Sequence, residues 1–527
     1  MADNQNTSKA KSEGESKKRF DRRDFLKSLA TVPVLGAFAY SVVKKVGADR
    51  SRKEELLSRL GLTKEAPAVL PKTTFRKKGE LIRLGIIGYG GRGHALLRAA
   101  GFATPEWTSR DSENARRQIE AFLGQEDLNV VVTAVCDLFD VRAEEAIAAS
   151  QNDVRPGGGS GGLKPAKRYR HYQDLLASND VDAVIIATPD HWHARIIVDA
   201  AKAGKHVYSE KAMTRTEEEV YQVVDAVKRS GIVFQLGHQN RQQDSYKKAR
   251  EIVARGILGP ITLVQTTTNR NTPEGAWVYK IHEKASPETI DWEQFQEPAP
   301  HKVPFSKERF FRWRCWYDYG TGLAGDLLSH EYDAVNQILD LGIPHSAVAS
   351  GGIYFYKDGR DVPDVFQVVY EYPDRDLTLI YSATLASAKG RPKMIMGHDA
   401  TMIVGRDLVV DVDPFSTQFK KDIETGLIDT SLPLFSYQPG LKELDVVTSA
   451  SQKYFASRGL MYTYRGGKLV DVTHLHMAEW LNCIRNGCQP SCNIDRGFEE
   501  AITCHMATRS YLEGRKVYWD PVKRRIV

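Results

Sequence analysis

Along the first half of the chain, short apolar blocks alternate with helical spacing. Leu81 to Ile87 is apolar and β-branched and predicts a buried strand; Gly88-Tyr89-Gly90-Gly91-Arg92-Gly93 follows at once, and His94 to Ala100 reads as the start of a helix. After a polar stretch from Thr104 to Glu126, which reads as an insertion, Val130–Cys136 predicts a second strand that ends at Asp137. Tyr172–Ala177 reads as a short helix, Val181–Ala187 as a strand and Ala194–Ala203 as a helix. His206–Ser209 is a further strand and runs into Glu210-Lys211-Ala212. Buried strands alternating with helices predict a parallel sheet.

The pattern changes in the second half. Glu217–Lys228 is helical, Ile232–Leu236 a strand, Ser245–Arg255 a helix stopped by Gly256, and Ile261–Thr268 a strand. A long loop leads to a helix from about Leu323 to Leu341. Strand-like runs then follow in succession at Val348–Phe355, Phe366–Tyr372, Leu377–Ser382 and Met402–Val404, and helices at His474–Ile484 and Phe498–Leu512 close the chain. Consecutive strands with short connections predict antiparallel pairing, so the expected class is α/β followed by α+β. The divisions expected are an N-terminal segment 1–45, a linker 46–80 with one helix around Arg52–Leu60, a nucleotide-binding domain 81–210, and a substrate and oligomerisation domain 211–527.

Charge narrows the function classes. The chain has 527 residues and a formal net charge of +6; residues 1–80 hold 19 Lys/Arg against 10 Asp/Glu, a surplus of nine that leaves the remaining 447 residues at −3. A nucleic-acid surface on the folded body is therefore not expected. Six cysteines are too few for a disulfide scaffold, and the late group Cys483, Cys488, Cys492 and Cys504 lacks paired zinc spacing, so no metal is expected. Small buried side chains are the expectation for all six, with a Cys488–Cys492 bridge open in an oxidising compartment.

The strand ends carry the candidate chemistry. In strand, G-x-G-x-x-G, helix, Gly88 makes the turn, Gly90 admits a pyrophosphate and Gly93 lets helix and strand pack. Asp137 at the end of the second strand can accept ribose hydroxyls and repel a 2′-phosphate, which favours NAD; Arg142 nearby keeps NADP open. Thr188-Pro189-Asp190-His191-Trp192-His193, Glu210-Lys211 and Gly237-His238-Gln239-Asn240-Arg241 also end strands, where ligands of open α/β sheets bind. Gln239 is a cofactor or substrate candidate and Arg241 a substrate candidate. The Gly157–Gly162 loop lacks a preceding strand and a Lys-Ser/Thr ending, and reads as a flexible loop.

Asp326 and His330 are four apart on one expected helix and share a face. An aspartate orienting an imidazole makes a base for an alcohol proton, with Lys211 stabilising charge on the same oxygen; a helix-surface or capping pair is the other reading. Phe310, Phe311, Trp313, Trp316, Tyr317 and Tyr319 crowd the approach to Asp326. They read equally as core or as a stacking platform for a sugar, with Trp313 and Tyr317 as substrate contacts and Arg312 and Arg314 between them.

Gly88–Gly93, the Thr188-Pro189 to His193 segment, Glu210-Lys211 and Gly320-Thr321-Gly322-Leu323-Ala324-Gly325-Asp326-Leu327-Leu328-Ser329-His330 together resemble the Gfo/Idh/MocA family of NAD(P)-dependent oxidoreductases, over about residues 81–520. The family usually has Pro where this chain has Ala212. The resemblance implies a Rossmann domain followed by a domain with a large, open, mostly antiparallel sheet. It implies that Lys211, Asp326 and His330 carry the substrate hydroxyl. It also implies a cofactor site drawn from Gly88, Gly90, Gly91, Arg92, Gly93, Asp137, Thr188, Pro189, His191, Trp192, His193, Glu210, Lys211 and Gln239. The function expected is oxidation or reduction of a hydroxyl on a sugar, glycoside or cyclitol, with a tightly held nucleotide, in a homo-oligomer. The alternative resembles the NAD-dependent α-N-acetylgalactosaminidases of the same fold, which lack the usual Lys of the Glu-Lys pair. A third reading, a binding or regulatory protein without chemistry, leaves Lys211, Asp326 and His330 unexplained.

The N-terminus carries an address. Asp21-Arg22-Arg23-Asp24-Phe25-Leu26-Lys27, the uncharged stretch Ser28–Val43 and then Lys44-Lys45 resemble a twin-arginine (Tat) export signal, with Asp21 where Ser or Thr is usual. The resemblance implies passage through the Tat translocase to the periplasm or beyond, either with cleavage near Ala37-Phe38-Ala39 or with an uncleaved membrane anchor.

Overall fold

The computed structural model describes residues 51–65, 80–151, 163–438, 461–465 and 468–527; the export-like segment 1–45 and the Gly157–Gly162 loop lie outside them. Strand β1 (Ile82–Ile87) is apolar but for Arg83, which pairs with Asp182 at its start, because both its faces are covered; Leu84 and Ile86 are fully buried. Each such side chain contributes roughly 1.5–3 kcal/mol on leaving water. Strands β2 (Val130–Cys136), β3 (Lys167–Arg168), β4 (Ala183–Ile186), β5 (His206–Ser209) and β6 (Phe234–Leu236) join it in a parallel sheet of order β3-β2-β1-β4-β5-β6. β1 lies between β2 and β4, so the strand order reverses there and a crevice opens at the carboxyl ends. Gly88, Asp137, Thr188, Glu210 and His238 all follow strands of this sheet at that edge. The sixth strand lies past position 210, so the parallel sheet extends beyond the division expected from sequence.

The second sheet has ten strands: β7 (Ile261–Asn269), β8 (Ser346–Gly352), β9 (Val365–Tyr372), β10 (Leu377–Thr384), β11 (Lys393–Gly397), β12 (Ala400–Val404), β13 (Leu408–Val412), β14 (Phe435–Tyr437), β17 (Val517–Asp520) and β18 (Arg525–Ile526). The short pair β15 (Tyr462–Arg465) and β16 (Lys468–Asp471) stands apart. In the large sheet β7 and β10 run parallel and the other pairs are antiparallel. β8 stops at Gly352, short of the expected Phe355, because the Asp364 carboxylate takes the N–H groups of Tyr354, Phe355 and Tyr356 out of the ladder.

The insertion after the first helix forms two helices, Pro105–Thr108 and Glu113–Leu123, capped by Thr104 and Ser112. The late helix Val472–Asn486 returns to the first sheet. Its Met477, Trp480 and Leu481 pack in one cluster with Ile82 and Leu84, and Arg485 donates to the carbonyls of Leu128 and Asn129 at 2.6 and 3.0 Å. At its end the Cys483 and Cys488 sulfurs lie 2.8 Å apart. Cys492, whose bridge to Cys488 the sequence left open, is buried elsewhere, beside Arg241; Cys488 is exposed rather than buried, and all six cysteines are free. Residues 51–59 form the helix of the linker and dock on the short helix Lys420–Glu424 through Arg59 and Asp422, 2.7 Å apart.

Candidate active site

The crevice opens into a cavity of about 680 Å3 lined from both domains, within the range of cofactor sites. Its floor is the glycine loop. A Cβ on Gly88 would come within 2.7 Å of the Ala187 carbonyl, and one on Gly93 within 2.5 Å of the Gly88 carbonyl. Those two glycines close the turn and seat the helix Gly91–Ala100 against it. Gly90 and Gly91 instead face the cavity, with only Arg142 near a Cβ at Gly90, 3.7 Å away. This is a cradle that a side chain would fill and a pyrophosphate fits. Thr188 Oγ1, buried on the cavity wall, has no hydrogen-bond partner among the described residues. Asp137 accepts the N–H groups of Tyr89 and Phe139 at 2.6 and 2.8 Å, and each carboxylate oxygen retains capacity for a ribose hydroxyl. These features fit NAD.

Arg92 spans the loop to the next two strand ends: Nε donates to Glu210 at 2.7 Å and its terminal nitrogen to Gln239 at 3.0 Å. All three line the cavity, as do Pro189 and Trp192. His191 and His193 are not among the lining residues. His191 Nε2 is 2.7 Å from the Phe295 carbonyl. The two nitrogens of His193 lie 2.6 and 2.8 Å from the carbonyls of Ala212 and Thr188. Both imidazoles hold the loop behind the wall, and burial pulls His191 down to about 3.

At the other end Lys211 and His330 face the same cavity. Lys211 Nζ donates to the Asp326 side chain at 2.6 Å and to its backbone carbonyl at 2.7 Å. Arg314 Nε reaches the same carboxylate oxygen at 3.0 Å, and Trp277 Nε1 the other at 2.9 Å. Burial alone would raise the Asp326 carboxyl, but the Lys211, Arg314 and Arg270 cations outweigh it and hold it well below the usual carboxylate range. The expected hydrogen bonding of Asp326 to His330 is thus replaced by a carboxylate that anchors Lys211. Burial, then the Lys211 ammonium and His238, whose ring centre is 5.3 Å away, keep the His330 imidazole well below its ordinary value and so neutral.

Asp326 lies in a wide π turn, Ala324–Leu328, that runs directly into the helix Ser329–Leu339; the helix expected from Leu323 to Leu341 is thus widened at the site and ends at Leu339. Gly325 is required there, because a Cβ would meet Thr321 Oγ1 at 2.0 Å and Ala212 at 3.1 Å.

The aromatic run divides. Trp313, stacked by the Arg314 guanidinium at 4.1 Å, lines the cavity near Lys211. Phe310 and Phe311 line it near Asp137, against Phe139. Trp316, Tyr317 and Tyr319 do not line it; Tyr317 packs on Gly322, its N–H bonded to Asp361. Arg241 is likewise outside, paired with Asp333 at 2.6 Å and bonded to the Ser491 carbonyl. Sequence reasoning missed Trp277, Tyr279, His282 and Phe295, all in the segment between β7 and the π turn that reads as a long loop and holds the short helices Trp292–Gln296 and Lys307–Phe311. Its length was the available signal, since structureless loops longer than about 12–15 residues are usually functional.

Residues 82–238 match the family model described as an oxidoreductase family with an NAD-binding Rossmann fold (Gfo/Idh/MocA), and residues 250–518 match its C-terminal alpha/beta domain. A levoglucosan dehydrogenase of Pseudarthrobacter phenanthrenivorans is 29% identical over 192 residues, 34% of this chain and 41% of that protein. A glycosyl hydrolase family 109 protein of Shewanella baltica is 30% identical over 220 residues, 40% of this chain and 37% of that protein. The chain thus spans less than half the length of these curated relatives. Among solved structures, the WlbA dehydrogenase from Bordetella pertussis in complex with NADH and UDP-GlcNAcA aligns with a TM-score of 0.53 at 16% identity, covering 84% of this chain and 98% of that one. A levoglucosan dehydrogenase in complex with NADH and levoglucosan aligns at 0.52 and 17% identity, covering 83% and 99%. Both share the fold.

Proposed function

The chain belongs to the Gfo/Idh/MocA oxidoreductase family, and on that premise we propose that it uses NAD to oxidise or reduce a hydroxyl of a sugar, glycoside or cyclitol. The observation that carries the reading is the convergence of Lys211 and His330 on the cavity floored by the glycine loop. When bound, NAD supplies reversible two-electron oxidation of the carbinol carbon. Gly88 to Gly93, Asp137 and Thr188 hold it. The neutral His330 imidazole takes the hydroxyl proton. Lys211 Nζ has three N–H donors; two are spent on Asp326, and the third meets the substrate oxygen as negative charge develops there. Asp326 acts from behind, keeping that ammonium in place. Trp313 offers a face for sugar C–H groups. Asp137 favours NAD over NADP.

The twin-arginine segment supports a location outside the cytoplasm, reached through the Tat translocase, with the signal cleaved or kept as an anchor. There a freely exchanging nucleotide would not be replenished. The nucleotide is therefore retained through export and recycled in place by a second carbonyl compound, in a homo-oligomer. A second reading is favoured by the family 109 relatives: transient oxidation, elimination of an aglycone and re-reduction. Lys211 weighs against it. The test is to identify by mass the nucleotide released from native protein, then to screen sugars, glycosides and cyclitols for turnover without added nucleotide. Release of an aglycone with no net carbonyl product selects the hydrolase reading. A nucleotide-free preparation that works only with added millimolar NAD overturns recycling.

A further inference from the structure

The nucleotide end of the cavity is covered by the second domain. After β7 the chain leaves the large sheet and crosses to the residues that follow Asp137. Asp140 N–H donates to the Thr289 carbonyl and Asp291 N–H to the Leu138 carbonyl, each at 2.9 Å, around an antiparallel bridge between Phe139 and Ile290. The same crossing segment sets three rings against Phe139. His282, Phe310 and Phe311 stand nearly perpendicular to it, with ring centres 5.3, 6.2 and 5.8 Å away. Arg142, on the first helical turns after Asp137, lies over Phe139, Phe310 and Phe311 at 5.8, 5.5 and 5.2 Å. Among the described residues its guanidinium makes no hydrogen bond and no ion pair. It lines the cavity 3.7 Å from where a Cβ on Gly90 would stand, beside the glycine that admits a pyrophosphate.

A guanidinium whose planar faces are held by rings keeps its five donors for something else. The Glu145 carboxylate attracts Arg142 electrostatically but pairs with His94 at 3.2 Å; beyond it, the geometry offers these donors the ligand of the cavity. The backbone pairing matters equally, because it ties the covering segment to the strand end that carries the ribose-binding acid.

We propose that residues 279–311 form a strap over the adenosine diphosphate half of the dinucleotide, and that its Phe310 and Phe311 press Arg142 onto the pyrophosphate, so that the nucleotide leaves only when the strap lifts from residues 138–140. The inference rests on the reading of this cavity as a dinucleotide site, and it supplies the physical means by which the cofactor is retained. A cover of this kind acts on dissociation more than on association, as most changes within one interface do. Arg142 then belongs to the pyrophosphate common to NAD and NADP and does not select between them.

The test uses full-length protein loaded with NADH and chased with excess NAD, following the loss of bound-NADH fluorescence. Phe310→Ala with Phe311→Ala, and separately Arg142→Ala, should each raise the dissociation rate at least about tenfold and change the association rate by less than about threefold. Arg142→Lys, which keeps the charge but not the planar face, should fall between. Hydrogen exchange on the wild type gives a readout that needs no variant: the amides of Asp140 and Asp291 should exchange at least roughly tenfold more slowly with NAD bound than without. Unchanged dissociation in folded variants, or equal exchange in the two states, overturns the strap. If wild-type protein binds NADH but releases it as fast as the variants do, the strap alone falls. If it binds no NADH at all, the dinucleotide reading falls with it.

Discussion

The two ends of the cavity are built from different physics. At the chemical end, Lys211, Asp326, Arg314 and Trp277 form a cluster in which one carboxylate takes three side-chain donors; Lys211 and Asp326 are 7% and 4% exposed. At the nucleotide end, apart from Asp137, the covering contacts are rings, a stacked guanidinium and two backbone hydrogen bonds. A buried charge cannot lose one partner cheaply, since removal costs about 3–5 kcal/mol, whereas rings and a short bridge can part and close again. The difference teaches that rigidity sits where a proton must be placed, and reversible closure where a ligand must enter once and stay.

The largest break in this comparison comes from the chemical end. Lys211→Ala and His330→Ala should each lower turnover at least roughly a hundredfold, the low end for acid–base groups, with nucleotide affinity changed less than about threefold. Asp326→Asn should do the same through Lys211 and should also lower the melting temperature, because Lys211 and Arg314 then keep their charge without its partner. Steady-state rates and nucleotide titrations on the same preparations separate the two effects. Full activity in His330→Ala removes it as the base.

Acid should act through imidazoles that burial keeps neutral: His330 in the cavity, His191 behind its wall, and His505, whose ring nitrogen lies 3.0 Å from the Thr214 hydroxyl. His191 is pulled down to about 3 and His505 to about 4, and His330 lies well below its ordinary value. The unfolded chain protonates these groups near pH 6.5 while the folded one does not, so the unfolded state binds more protons and stability falls as pH drops below about 6.5. For His191 and His505 the loss approaches about 2 kcal/mol each by pH 5. Thermal melts at pH 7 and 5 measure the sum. Catalysis should show no acid limb from His330 near pH 6.5, because its neutral form persists below that value.

A smaller effect is expected at the ribose acid. Asp137→Ala removes an acceptor for ribose hydroxyls and frees the N–H groups of Tyr89 and Phe139. NAD affinity should fall roughly tenfold, the size of one charge-assisted hydrogen bond. Discrimination against NADP should relax. Calorimetry with both nucleotides decides it, and a wild-type preference for NADP reverses the argument.

The contrast between the ends also governs how far the sequence could be read. β1 with Gly88 to Gly93 and Asp137 was legible, because a parallel strand buried on both faces is a continuous apolar run and its turn needs glycine at Gly88 and Gly93 for want of space. The mostly antiparallel second sheet followed from successive strand-like runs. The pairing of Asp326 was not legible. Its four-residue spacing from His330 is real, but Trp277 and Arg314, from a loop without periodicity, claim the carboxylate. The same loop supplies the bridge at Ile290, which depends on two backbone hydrogen bonds and leaves no mark on residue type. His191 and His193 look like ligands in the sequence because a strand end is where ligands bind; the helix that starts at Asp190 turns both rings onto backbone carbonyls instead.

The smallest expected effect separates lining from proximity within the aromatic run. Trp313 and Tyr317 are four residues apart and are equal candidates for stacking a sugar by sequence. Trp313 lines the cavity and is braced by Arg314, which also holds Asp326; Tyr317 is packed on Gly322, with its N–H on Asp361. Trp313→Phe should therefore raise KM for the substrate about threefold to tenfold, since a smaller ring keeps part of the stacking surface and such ring contacts are worth about 0.5–1.5 kcal/mol. Tyr317→Phe should leave KM and kcat within about twofold, because only a hydroxyl outside the cavity is removed. Equal effects of the two changes would place the substrate against both rings and require the chain at Gly322 to move off Tyr317. A larger effect of Tyr317→Phe than of Trp313→Phe would move the substrate out of the cavity that His330 and Lys211 share.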